Sequence, residues 1–140
     1  MNAEKFEKFL ISKSACQEGL DWAKGKSLKQ TWAELERPDW MMWLYRNSKK
    51  IEKKKCVMIA VFSAESCLDK FESKYPDDKR PREAIETAKN VIKKDTEKNR
   101  SAGSAWSAAE SAGSAAESAW SAANKKICDY IRSIIKSVKI

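Results

Sequence analysis

Two groups of side chains in this sequence have the types and spacing to do chemistry. Asp77, Asp78, Arg80 and Arg82 fall within "YPDDKRPRE". Pro81 suits the first position of a helix there, and Glu83 falls where negative charge favours a helix start. A helix N-terminus supplies N–H donors and positive potential, so this cluster can hold an anion or a charged group of a partner. The simpler reading is a capped turn, in which an aspartate closes the helix and an arginine pairs with it. The second group is "RPDWMMWLYRN", where Arg37, Asp39 and Arg46 flank Trp40 and Trp43. Tryptophan with arginine is a composition of interface hot spots. It also holds nucleotide bases, by stacking and cation–π contact. Against both stands the ordinary use of tryptophan, which is to fill a core.

The remaining chemistry is limited by what is missing. The chain has no histidine, which removes Ser–His and Cys–His pairs, an imidazole base and histidine metal ligands. The four cysteines, Cys16, Cys56, Cys67 and Cys128, form no C-x-x-C pair, so no zinc site is expected. Cys56 and Cys67 lie about three turns apart on one helix face, too far to bridge, and the thiols read as free and buried. Asp77 and Asp78 lack further acidic ligands at motif spacing for a divalent ion. No phosphate loop, nucleophile elbow or kinase motif occurs. These exclusions point to a non-enzymatic protein with no cofactor and no metal.

Charge speaks to partners. The net charge is +8, from 28 basic and 20 acidic residues. It favours anionic partners, or it merely solvates the surface. The lysines are scattered or bunched at Lys49 to Lys55, not laid along a recognition helix, so nucleic acid is not expected as the specific target. No apolar run approaches membrane-spanning length, and "MNAEKFEKFLISKSA" lacks the apolar core of a signal peptide. The expected location is the cytoplasm, with no membrane partner.

The elements that must position these residues are all helical, because apolar residues recur at steps of three and four and nowhere alternate. Phe6, Phe9 and Leu10 give a first short helix its face. "SACQ" (14–17) and "SLKQ" (27–30) both have the capping-box pattern. The helix after Ser14 should end near Gly25, and the one after Ser27 before Pro38. Pro38 starts a helix on which Trp40, Trp43 and Leu44 share a face. After the lysine run, Val57, Ala60, Val61, Ala64, Leu68, Phe71 and Tyr75 mark a long stripe. Ala84, Ile85, Ala88, Val91 and Ile92 mark the next.

The Ser/Ala-rich stretch 101–123 reads as helix rather than linker. Trp106, Gly113, Trp120, Ile127 and Ile134 recur every seven residues, and the stripe continues to Val138. This helix runs to the C-terminus or bends near Asn124. Gly103 and Gly113 each cost about 1 kcal/mol of helix propensity relative to alanine. Small side chains repay this by letting another helix approach closely, with the serines bonding their own i−4 carbonyls. The rival reading is a ligand cavity lined by Trp106, Ser107, Ser114 and Trp120. The expected fold is therefore all-α: a single domain over 1–140, a compact bundle of about five to seven helices around a central small-residue helix.

Two stretches, "ACQEGLDWAKG" followed by "RPDWMMWL", and "CLDKFESKYPDDKRPREAIETAK", resemble a family of small immunity proteins of bacteria and their phages. The Ser/Ala helix that follows is the third shared element, and "YPDDKRPREAIE" is the specific part. By the resemblance, Asp77, Asp78, Arg80, Pro81 and Arg82, with Asp39, Trp40 and Trp43, hold the distinctive positions. Many relatives carry histidines late in the small-residue helix, and this chain has none, so no ligand role follows from those positions. The resemblance implies a role in conflict: neutralising a toxin or blocking a host-defence protein by direct binding. The alternative is a sponge that sequesters an anionic small molecule, such as a nucleotide signal, through Arg80, Arg82 and the tryptophan-lined space by the Ser/Ala helix.

Overall fold

A computed structural model describes residues 1–93 and 117–140. Among the described residues there are seven helices and no strand, the all-α helical bundle that the periodicity predicts. They are α1 (Ala3–Ser12), α2 (Gln17–Ala23), α3 (Leu28–Glu34), α4 (Pro38–Arg46), α5 (Lys53–Lys74), α6 (Arg80–Lys93) and α7 (Glu117–Ile134). Packing divides the chain into two compact units. The first is Met1–Ile51 with Ile131–Ile140, and the second is Glu52–Tyr130. The small-residue stretch that holds Trp106, Ser107, Gly113 and Ser114 lies outside the described residues, as does the side chain of Trp120.

In the first unit, Phe6 and Leu10 of α1, Trp32 of α3 and Met41 of α4 are buried. Capping sets most of the breaks. Ser27 and Gln30 form the expected capping box at the start of α3. Pro38 begins α4, where its missing N–H costs nothing. "SACQ" does not behave as its pattern predicts: Cys16, not Ser14, precedes α2, and no side chain caps that end. Ser14 instead sits at φ +56°, in the left-handed region, and ends α1. Its N–H donates to the Ile11 carbonyl and that of Ala15 to the Leu10 carbonyl, both at 3.0 Å. These are the paired bonds of a Schellman ending, which uses Ser14 before it can serve the next helix. Gly25 at φ +76° occupies the same backbone region after α2, close to where that helix was expected to end.

Within the first unit, polar bonds tie the C-terminal segment to α3 and to the segment after α4. The Trp32 indole Nε1–H donates to the Ile135 carbonyl at 3.2 Å, and the Lys49 N–H to the Lys139 carbonyl at 2.8 Å. Arg132 donates from Nε to the Trp32 carbonyl at 3.0 Å and from its terminal nitrogen to the Leu35 carbonyl. These carbonyls lie at the end of α3, where intrahelical partners run out. The same contacts account for a difference from the expected helix. α7 passes Asn124 without a break but stops at Ile134, because the carbonyls beyond it face α3 and the segment after α4 instead of continuing a helix.

In the second unit the two apolar stripes read from spacing meet each other. Val61, Ala64 and Leu68 of α5 pack with Ile85 and Ala88 of α6, flanked by Val57 and Ile92. Tyr75, placed on the stripe by spacing, is exposed because α5 has already ended at Lys74. Phe62 and Tyr130 stack with centroids 4.1 Å apart. Ser63, Ser66, Ser73 and Thr87 each donate to the carbonyl four residues back. Ala88 has no exposed surface. Ala88→Leu is expected to overpack this seam and cost about 1–3 kcal/mol, read by urea denaturation. Unchanged or increased stability would show that the seam has room to spare.

Buried free thiols were expected throughout, and this holds for Cys67 and Cys128, whereas Cys16 is exposed and Cys56 half-buried. Cys16 stands in the link between α1 and α2, outside any apolar helix face. Burial pushes the Cys67 thiol above its ordinary value.

Candidate functional site

The Arg37–Trp40 group is built by the start of α4 and the preceding loop. Arg37 is the N-cap residue of α4, and its extended backbone turns its side chain back along the first helical turn. Its guanidinium donates to both oxygens of Asp39, at 2.8 and 3.3 Å, and to Glu18 of α2 at 3.0 Å. The hydrogen bond to Asp39 is the main cause of a pKa above the ordinary arginine value, so the group stays charged. The guanidinium carbon lies 4.2 Å from the Trp40 ring centroid, a cation–π contact. Trp40 in turn meets Trp22 of α2 edge to face, with centroids 6.1 Å apart. Lys26 covers Trp22 at 3.5 Å and pairs with Glu34 at 3.1 Å.

Together these side chains line a groove of about 180 Å³ formed by Glu18, Trp22, Glu34, Leu35, Glu36, Arg37 and Trp40. Counting Asp39 and Lys26 beside it, four carboxylates face two cations. The groove is therefore net acidic on a chain whose total charge is +8. Its two tryptophans are half-buried, with rings held by cations and by each other. Such a surface is pre-organised, apolar at the centre and charged at the edge, which is the anatomy of a protein interface.

Of the residues singled out from sequence, Arg37, Asp39 and Trp40 come together here. Trp43 is half-buried on the same α4 face as Trp40 and Leu44, and all three border one cavity. Arg46 is exposed at the far end of α4, about 13 Å along the axis from Arg37 at 1.5 Å per residue, and does not join the group. Glu18, Trp22 and Lys26 were not expected from sequence. Trp22 was legible only as a residue of "DWAKG", since nothing local in the chain shows that α2 will face the start of α4.

The Asp77–Arg82 group lies in the second unit and has the geometry of the capped turn. Asp78 accepts from the Arg80 backbone N–H at 3.1 Å and from its guanidinium at 2.9 and 2.6 Å. Arg82 donates to Glu72 of α5, tying the start of α6 to the end of α5. Pro81 is the second residue of α6, one place later than expected, and is buried. Both arginines thus already hold carboxylates. Hydrogen bonds from the Arg80 side chain, then its backbone, lower the Asp78 pKa from an ordinary 3.8 to about 2. Its folded value lies below the unfolded one. The pairing therefore contributes fully above about pH 4 and is lost as pH falls through about 2. A carboxyl NMR titration should find the Asp78 midpoint near 2, and Arg80→Ala should move it back up. An ordinary midpoint in the wild-type protein would remove the capped-turn geometry.

Among the described residues no three potential ligands converge on a metal position, and no helix is long and apolar enough to cross a membrane. Searches against protein-family models, curated proteins and solved structures find no match for this chain.

Proposed function

We propose that this chain is a non-enzymatic binding protein that acts by occupying a protein target, with the Trp22–Trp40–Arg37 groove as its contact surface. The observation that carries this reading is the pair of half-buried tryptophans held in place by Arg37 and Lys26 and ringed by Glu18, Glu34 and Glu36. A rigid aromatic centre loses little side-chain entropy on binding. The acidic ring selects a target that presents basic and aromatic side chains. The resemblance of "RPDWMMWL" and "YPDDKRPREAIE" to immunity proteins supports a cytoplasmic toxin or host-defence protein as that target. The sponge alternative gains less support. An anion at Arg80 or Arg82 would have to displace Asp78 or Glu72, each already bonded to the arginine it would lose.

The charge of the groove makes the reading testable. Tagged protein isolated from cells should retain a polypeptide partner. Glu18→Lys with Glu34→Lys should release it, whereas Lys53→Glu with Lys54→Glu, at the exposed start of α5, should leave it bound. Retention by the first variant and loss by the second would place the contact elsewhere.

A further inference from the structure

A second feature of the first unit adjoins the partner groove and shares Trp22, Leu35 and Trp40 with it. α1, α2, α3 and α4 enclose a cavity of about 370 Å³, within the size range of small-molecule sites. Its floor is apolar and buried: Phe6, Leu10, Ala23 and Leu35. Trp22, Trp40 and Trp43 form half-buried walls, and the rim carries exposed Ser14, Cys16 and Asp39, so it opens to solvent on that side.

Thr31 also borders this cavity. It is 3 % exposed, and its Oγ1 has no hydrogen-bond partner. That is unusual, because a helical hydroxyl has a ready acceptor one turn back. Ser63, Ser66, Ser73 and Thr87 all use it. A buried hydroxyl left unpaired carries a desolvation cost that a polar group entering the cavity would relieve. Threonine in a helix has two accessible χ1 rotamers, so the hydroxyl can turn to meet such a group. Gly19 adds to the picture. It weakens a short helix, yet a Cβ there would come within 3.3 Å of Cys16 Sγ, tightening the cavity wall where the rim begins.

We infer that this cavity is a binding site for a small, uncharged, planar aromatic molecule with one hydrogen-bonding edge directed at Thr31. The aromatic class follows from three tryptophans in the walls, whose faces and edges favour offset or edge-to-face ring contacts. The lack of charge follows from the lining, where the one ionisable carboxylate, Asp39, is already held by Arg37.

Two isosteric probes test this with the partner absent: indole, which has a ring N–H, and indene, which lacks it. In amide-detected NMR titrations, indole should give saturable shifts at Ala23, Thr31 and Leu35 and bind about tenfold more tightly than indene, the ratio expected for one hydrogen bond. Thr31→Val keeps the side-chain shape and should bind the two probes equally. A fold check by the same spectra makes that variant readable, and Gly19→Ala should weaken both probes alike. Absence of saturable shifts with either probe in the wild-type protein would overturn the site. An indole preference that survives Thr31→Val would overturn the role of its hydroxyl.

Discussion

Trp32→Ala is expected to destabilise the first unit by about 4 kcal/mol, and Trp32→Phe by about 1–3 kcal/mol. Trp32 is 6 % exposed, and its indole N–H donates to the Ile135 carbonyl within the core. Alanine removes the ring and leaves a large void. Phenylalanine keeps most of the apolar volume but orphans the Ile135 carbonyl. The order of the two costs separates packing from the hydrogen bond. Urea denaturation followed at Met41 and Met42 methyl resonances, both buried in this unit, reports them. Equal stability of Trp32→Phe and the wild type would show that the 3.2 Å contact carries no weight. The same tie predicts a wider effect. Releasing Ile135 frees the tail that also meets Lys49, so amide exchange at Lys49 should accelerate in both variants.

Trp40→Ala is expected to weaken partner binding by about 30- to 1,000-fold, the range of a tryptophan hot spot worth roughly 2–4 kcal/mol. Trp40 connects everything in the groove: Arg37 lies over it, Trp22 abuts it, and Asp39 holds Arg37 in place. Removing it leaves Arg37 without its aromatic support and Trp22 without its neighbour. Arg46→Ala, at the other end of α4, should change affinity little. Surface plasmon resonance against the isolated partner makes the comparison. A loss at Arg46 that matches the loss at Trp40 would contradict the groove as contact surface.

The parts of this protein that were legible from sequence are those set by residues close in the chain. The α5 stripe of Val57, Val61, Ala64 and Leu68 meets Ile85, Ala88 and Ile92 because a helical period places each set on one face. Ser27 and Gln30 form a capping box, and Pro38 starts α4, because both depend on neighbours within a turn. Ser14 shows the limit of such rules. Serine at the end of one helix and before the next satisfies two local patterns, and the left-handed ending of α1 uses it.

The site was half legible. Arg37, Asp39 and Trp40 lie within one turn and were found as a group. Their partners Glu18, Trp22 and Lys26 come from α2 and the loop after it, and only packing brings them near. The acidic sign of the groove runs against the total of +8 for the same reason: charge sums do not record which side chains share a face. Thr31 gave no signal at all, since an unpaired hydroxyl exists only once four helices have closed around it. The close-approach role assigned to Gly103 and Gly113, and the alternative cavity between Trp106 and Trp120, fall on positions outside the described residues or, for Trp120, on a side chain outside them.

Native mass spectrometry of the protein purified from cells distinguishes a polypeptide target from a small anion. Three forms are compared: the wild type, Trp40→Ala, and Arg80→Ala with Arg82→Ala, each shown to be helical by circular dichroism. A stoichiometric polypeptide is expected on the wild type and on the double arginine variant, and its loss from Trp40→Ala. A retained small anion that disappears from the double arginine variant, with no polypeptide on the wild type, would contradict it.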